Sequence, residues 1–133
     1  MFSSNAFNYI NILDKAADAS VLRGKAINNN LANADTPNYK RQDVDFESVL
    51  RRELGSYRSK YKSNASRVKR VNQNLESLEV GTYTDMVNYS YRLDRNNVDP
   101  DIENVELAAN VEKYNGLIDG MTSEFERLKM VMK

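Results

Sequence analysis

The sequence of 133 residues contains no cysteine, no histidine and no tryptophan, and only two prolines and five glycines. Without cysteine and histidine, disulfide bonds, zinc–thiolate sites and mechanisms that use a thiolate or an imidazole are excluded. No run of about 18 apolar residues occurs, and residues 1–10 lack the basic and apolar regions of a cleaved signal peptide. We therefore expect no membrane insertion and no signal-peptide cleavage.

The charges sum to zero but are distributed unevenly. Lys and Arg against Asp and Glu number 3 and 3 over residues 1–39, 10 and 4 over residues 40–75, and 6 and 12 over residues 76–133. Tyr57 and Tyr61 lie within the basic stretch, and basic charge with interleaved aromatics is typical of nucleic-acid-binding modules. The same stretch is rich in serine, which favours a solvated flexible segment. A third interpretation is contact with the acidic C-terminal third of a neighbouring copy, since opposite charges steer association and favour one register. All three interpretations stand at this point.

Small and apolar side chains recur at three- and four-residue intervals between residues 7 and 33, which predicts a helix. The stripe consists of Ile10, Leu13, Ala17, Ser20, Gly24, Ile27 and Leu31. Because Ser20 and Gly24 interrupt its apolar character, the helix is expected to be stabilised by close packing against another helix. It should end before Pro37, since the residue that precedes a proline is disfavoured in the helical conformation.

The C-terminal part carries the most regular pattern, with apolar residues at eight successive positions of a heptad repeat. These are Leu107, Val111, Tyr114, Ile118, Met121, Phe125, Leu128 and Met132. Asp99 as N-cap and Pro100 at the first helical position predict where this helix begins. Gly116 and Gly120 lie off the stripe and favour a second close contact on the opposite face.

The middle of the chain is less regular. Residues 45–54 predict a short helix capped by Asp45, and Asp43 and Asp45 are interpreted as helix-start residues. A weak stripe over residues 68–78 fits a helix or a loop, whereas the alternation over residues 87–93 predicts a strand. The expected organisation is one unit with an N-terminal core helix (1–34), a turn and short helix (35–54), a flexible or β middle region (55–98) and a C-terminal core helix (99–133).

We therefore expect a mainly α protein whose N- and C-terminal helices pair as an antiparallel two-helix coiled coil, with a short strand or hairpin and a flexible basic middle segment. The sequence contains no Gly-rich phosphate loop and no calcium-binding loop pattern. No enzymatic activity, cofactor or metal is predicted. A basic nucleic-acid-binding module and a generic coiled-coil adaptor remain alternatives on the residues alone.

Residues 29–42, NNLANADTPNYKRQ, resemble the N-terminal signature of the flagellar axial family, the rod and hook proteins of the bacterial flagellum. DVDF at residues 43–46 and NNVDPDIENVELAANVEKYNGLIDGM at residues 96–121 are similar to blocks of the proximal rod members. The family more often has glycine at Asn38 and Arg95, and asparagine tolerates the left-handed turn best among the other residues. No resemblance is evident over the basic middle segment.

The resemblance implies a structural subunit of the proximal rod in the basal body of the bacterial flagellum, which transmits torque from the membrane ring to the hook. It implies export from the cytoplasm by the flagellar type III apparatus without signal-peptide cleavage. The implied partners are further copies of the chain, rod proteins of the FlgC, FlgF and FlgG types, the ring–rod adaptor and the MS ring. Nucleic acid is not among them.

The resemblance also implies that the terminal helices form the core of the assembly. The residues expected to pack in this helix pair are Ile10, Leu13, Ala17, Ile27, Leu31, Leu107, Val111, Tyr114, Ile118, Met121, Phe125 and Leu128. The signature turn is expected to leave the pair and contact neighbouring subunits through Asn30, Asn33, Thr36, Pro37 and Tyr39.

Overall fold

Two long helices dominate the computed structural model, which describes residues 5–51, 81–85 and 93–132. The first helix, α1, is Asn5–Ala32, and the second, α2, is Pro100–Val131. At 1.5 Å per residue, α2 is about 48 Å long. The expectation of a mainly helical protein with long N- and C-terminal helices is confirmed.

The two helices pack against each other in antiparallel orientation. A Cβ atom placed on Gly120, late in α2, would lie 3.7 Å from the Cδ1 atom of Leu13, early in α1. At the other end, the side-chain amide of Asn30 in the last turns of α1 donates to the carboxylate of Glu103 in the first turn of α2. The predicted antiparallel pair is confirmed.

Local chemistry explains where α2 begins. Asp99 has extended backbone angles, φ −107° and ψ 110°, and its carboxylate accepts from the N–H groups of Asp101 and Ile102 at 3.0 and 3.4 Å. Pro100 occupies the first helical position, where a backbone N–H would have no acceptor within the helix, so that its absence in proline costs nothing. The acidic side chains of Asp101 and Glu103 lie near the positive end of the helix dipole. The predicted start of the C-terminal helix is confirmed.

The turn after α1 also follows the prediction. The helix ends at Ala32, and a turn carries the chain past Pro37. Asn38 has a φ of 63°, in the left-handed region that asparagine tolerates. Arg95 has a φ of 61° without that advantage, and among the described residues these two alone adopt positive φ.

A small sheet joins the two ends of the middle segment. Strand β1, Gln42–Val44, pairs antiparallel with β2, Thr82–Thr84, so that Gln42 lies opposite Thr84 and Val44 opposite Thr82. The interpretation of Asp43 as a helix-start residue is wrong, because Asp43 is the middle residue of β1 and lies opposite Tyr83 of β2.

The short helix after β1 begins as expected. Residues 46–51 are helical, and the carboxylate of Asp45 accepts from the N–H of Ser48 at 3.1 Å and from its hydroxyl. The stripe over residues 68–78, most of the basic stretch and residues 87–92 of the strand predicted over residues 87–93 lie outside the described residues, and Leu93 lies in a turn.

Small and apolar side chains seat β1 and the short helix against α1. Val44 and Phe46 form a buried cluster with Ala19, and the half-buried side chains of Leu22 and Leu50 pack against it. In the described part of the chain, neither long helix has a stretch apolar enough to cross a membrane.

Candidate assembly site

The apolar face of α1 points into the helix pair. Ile10, Ala17 and Ile27 are buried, and Leu13 and Leu31 are half-buried. Leu13 packs against the backbone of Gly120, so this glycine lies on the paired face and not on the opposite face as the sequence analysis expected. A Cβ atom at residue 120 would be in ordinary van der Waals contact with Leu13.

The face of α2 that meets α1 combines apolar and polar side chains. Leu107, Tyr114, Met121 and Leu128 are half-buried and recur every seven residues. Between them lies a second row at the same spacing, consisting of Glu103, Asn110, Leu117 and Glu124, of which Glu103 and Asn110 are buried. The two rows together form the helix seam.

Three of the seven α2 residues that the sequence assigned to the pair lie beside this seam, namely Val111, Ile118 and Phe125. Val111 and Phe125 are 52% and 55% exposed, Met132 is 80% exposed, and Ile118 is half-buried. The seam is thus rotated by about 50° from the all-apolar stripe, since successive residues in a helix are about 100° apart. We call Val111, Ile118, Phe125 and Met132 the flanking stripe.

A hydrogen-bonded pair occupies the middle of the seam. The side-chain amide of Asn110 donates to the backbone carbonyl of Ser20 at 2.9 Å, and its oxygen accepts from the Ser20 hydroxyl at 2.9 Å. Gly24 makes room for this pair, because a Cβ atom there would lie 3.4 Å from the Asn110 nitrogen. Ser20 and Gly24, which interrupt the apolar stripe of α1, therefore mark the place where α2 inserts the polar side chain of Asn110.

A second polar cluster lies where α1 ends and α2 begins. The Glu103 carboxylate, 1% exposed, accepts from the Arg41 guanidinium at 2.5 Å and from the Asn30 amide at 3.0 Å. Arg41 also pairs with Asp43 at 3.1 Å. A buried carboxylate is tolerated only when charge and hydrogen-bond partners surround it, and Glu103 has both.

Asn30 connects this cluster to the sheet. Its side chain is fully buried and makes four hydrogen bonds, donating to Glu103 and to the Gln42 carbonyl and accepting from the Gln42 N–H and the Tyr39 hydroxyl. Burial of the Tyr39 hydroxyl raises its pKa above the ordinary value, and the nearby Glu103 carboxylate raises it further. The Tyr39 hydroxyl therefore stays protonated and able to donate.

The signature turn is held by a single side chain from the segment before α2. The amide nitrogen of Asn96, which is 1% exposed, lies within 3.0 Å of the carbonyl oxygens of Asn33, Ala34 and Thr36. Its oxygen accepts from the N–H of Val98 at 2.8 Å. In this single chain, the backbone of the turn is bonded inward, while Thr36 and Pro37 are exposed.

An ion-pair group that was not predicted from the sequence lies at Arg23, two turns before the Asn30 end of α1. Arg23 donates to the Val44 carbonyl at 2.6 Å and forms a two-bond pair with Glu47 at 2.8 and 3.1 Å. Lys113 of α2 pairs with the same carboxylate. These charges border an apolar notch of about 120 Å³. Because its members come from three separate elements, no local spacing in the sequence could have revealed the group.

The chemistry of the seam and its surroundings is that of packing and hydrogen bonding. Every buried side-chain nitrogen and oxygen atom in the described residues has a hydrogen-bond partner. Within the same residues, no three carboxylates lie close enough together to hold a metal ion. Exposed apolar side chains of α2 include Val111 and Phe125 of the flanking stripe and, at the end of the helix, Met130 and Val131, which are 70% and 85% exposed.

No protein-family model matches the chain. Curated proteins do. The flagellar basal body rod protein FlgB of Bacillus subtilis (strain 168) is 33% identical over 135 residues, covering 99% of this chain and 95% of that protein. FlgB of Borrelia hermsii is 32% identical over 131 residues, covering 93% of this chain and 95% of that protein. FlgB of Borreliella burgdorferi is 28% identical over 123 residues, or 87% and 89% of the two chains.

Paired terminal helices, with a signature turn after the first of them, together with these relatives define a flagellar rod protein. The match spans nearly the whole chain and so includes the basic middle segment, where the sequence analysis found no resemblance. The chain belongs to the FlgB family of flagellar basal body rod proteins.

Proposed function

We propose that this chain is a structural subunit of the proximal rod of the flagellar basal body and that it assembles through its terminal helices. The single observation that carries the proposal is membership of the FlgB family over almost its entire length. The helix pair supplies a physical route, because a second apolar surface lies beside the seam.

The flanking stripe supports assembly through α2. Val111 and Phe125 each expose more than half of their surface, on a face of α2 that lies beside the helix seam. Large apolar surfaces that remain exposed in one chain commonly become buried against a partner. Burial of this stripe between neighbouring copies and other rod proteins would give the rod its cohesion, and torque would pass from ring to hook through the buried area.

A motility experiment tests this role. A strain of the source bacterium that lacks its own copy is complemented with the chain carrying Val111→Ser and Phe125→Ser. We expect full-length protein but loss of swimming and basal bodies without a complete rod, because two apolar contacts are lost. Purified basal bodies are examined by electron microscopy.

The matched control is Val105→Ser. Val105 lies on the same helix and is 69% exposed, but on a different face from the flanking stripe. This variant should swim. Normal rods in the Val111→Ser, Phe125→Ser strain would contradict assembly through the flanking stripe, and normal rods in the strain lacking the chain would contradict the rod function itself.

A further inference from the structure

Two polar layers interrupt the helix seam, and each consists of groups that bond across it. Ser20 of α1 meets Asn110 of α2, and Asn30 of α1 meets Glu103 of α2. We propose that these two layers select the register of the antiparallel helix pair, so that α1 and α2 align in one position and not one heptad away.

The contacts made by Asn110 show why a slip is unfavourable. A slip of one heptad would move its buried amide from Ser20 to the level of Leu13 in one direction and of Ile27 in the other. Neither side chain can accept or donate a hydrogen bond. A buried amide without partners is strongly disfavoured, so both neighbouring registers are penalised.

The second layer fixes the same alignment independently. Glu103 finds its partners only where Asn30 and Arg41 converge, at the point where α1 ends and β1 begins. A slip toward the end of α1 would carry the carboxylate beyond the last helical residue, Ala32. A slip the other way would leave Arg41 behind and bring the carboxylate to the level of Arg23, whose guanidinium is already bonded to Glu47 and to the Val44 carbonyl.

Apolar residues alone would not distinguish the registers well. Leu107, Tyr114, Met121 and Leu128 repeat at seven-residue intervals, so a one-heptad slip exchanges one large apolar side chain for another. Buried polar pairs add little net stability compared with apolar replacements of similar volume, and their best-attested role is to fix alignment. The polar layers therefore provide the discrimination that the apolar row lacks.

Thiol crosslinking measures the register directly, because the chain has no cysteine of its own. Leu13→Cys with Gly120→Cys reports the observed register. Leu13→Cys with Lys113→Cys and Leu13→Cys with Arg127→Cys report the two slipped ones. The crosslinker is a bifunctional maleimide shorter than the roughly 10 Å by which a heptad slip displaces a helix. The purified full-length chain is used at high dilution, where only intrachain products form.

In the unsubstituted background we expect the Gly120 pair to crosslink at least about tenfold more than either slipped pair. Adding Asn110→Leu and Glu103→Leu should reduce this ratio to within about threefold, while far-UV circular dichroism shows unchanged helix content. Asn115→Leu, the same Asn-to-Leu change at an exposed position of α2, is the control and should keep the ratio.

Three results would overturn the proposal. The ratio could stay tenfold in the Leu variant, the unsubstituted chain could crosslink equally in all three registers or in none, or the Leu variant could lose its helix content. The last result would assign these groups to stability and not to register. None of these readouts involves the rod, so the register proposal and the rod function fail or survive separately.

Discussion

The two ends of the helix pair are built differently. At the polar end, where α1 ends and α2 begins, Asn30, Asn96 and Glu103 are almost completely buried and each bonds to groups far away in sequence. At the open end, where α2 finishes, Phe125 and Met132 expose more than half of their surface. One end satisfies its polar groups within a single chain, whereas the other leaves apolar surface exposed.

The proposed function gives the two ends different roles, one in the geometry of the single chain and one in assembly. Directional hydrogen bonds fix the geometry at the polar end, because they are lost when partners are misplaced. Burial of the apolar surface at the open end is not directional, and the stabilisation it gives is proportional to the area that is buried. Substitutions at the polar end should therefore affect the isolated chain, whereas those in the flanking stripe should affect assembly.

The strongest test removes the countercharge at the polar end. Arg41→Met leaves the Glu103 carboxylate buried with Asn30 as its remaining donor. We expect the free energy of unfolding to fall by about 3 kcal/mol, because an unpaired buried charge is strongly destabilising. Urea denaturation followed by far-UV circular dichroism measures this.

Glu103→Gln in the same background provides the control. A neutral amide needs no countercharge, so Arg41→Met with Glu103→Gln should recover most of the lost stability. A fall of less than about 1 kcal/mol in the single Arg41→Met variant would show that the polar end does not depend on this pair.

The next test releases the signature turn. Asn96→Ala removes the amide that three carbonyl groups of residues 33–36 share, and we expect a loss of about 2 kcal/mol. Hydrogen exchange should accelerate at Val98, whose N–H loses its acceptor. Asn28→Ala, an exposed asparagine of α1, should change neither quantity by comparison. Equal effects of both substitutions would remove the distinction drawn for the polar end.

A stabilising change should sharpen the contrast. Arg95→Gly relieves a positive φ of 61° in the segment that leads to α2, and we expect a gain of about 1 kcal/mol. Asn38→Gly, at a φ of 63°, should gain less because asparagine already tolerates this region. Differential scanning calorimetry compares the two melting temperatures, and a larger gain for Asn38→Gly would contradict the expected order.

The smallest effect concerns the ion pairs midway along α1. Hydrogen bonds from Arg23 lower the pKa of Glu47 from 4.5 to about 2. Partial burial opposes this shift, and a hydrogen bond from Lys113 adds to it. Because the folded-state pKa lies below the unfolded value, the contribution is complete above about pH 4.5 and is lost as the pH falls toward 2. Glu47 is 47% exposed, so solvent screening limits the contribution to about 0.5 kcal/mol.

Glu47→Gln tests this contribution through the pH dependence of urea denaturation. The difference in unfolding free energy between the parent chain and the variant should shrink as the pH falls from 5 to 2. Glu112→Gln, an exposed carboxylate of α2, serves as the control. A difference that stays constant over this interval would mean that the Arg23 and Lys113 pairs contribute nothing measurable.

Local signals in the sequence were sufficient for the helices and their ends. Asp99 and Pro100 mark the start of α2 through bonds within one turn, and Pro37 limits α1 through its own ring. The predicted short strand or hairpin is confirmed as a two-stranded sheet, but its position could not be predicted, because each strand has three residues and pairs with a partner about 40 residues away. The assignment of Asp43 failed for the same reason.

The candidate site was less accessible to sequence reasoning. A search for apolar periodicity detects only apolar residues, so it could not identify Asn110 and Glu103. Asn110 is buried because it bonds to Ser20, and Glu103 is buried because it bonds to Asn30 and Arg41. The Asn96 contacts likewise join segments about 60 residues apart. Polar groups that are buried through long-range partners leave no periodic trace.

The pairing of β1 with β2 and the bond from the Asn38 N–H to the Asp94 carbonyl at 2.9 Å bring the two ends of the middle segment back to one place. Both contacts lie beside the end of α1 and the start of α2. The polar end therefore holds together three segments that are far apart in the sequence, at residues 38–44, 82–84 and 94.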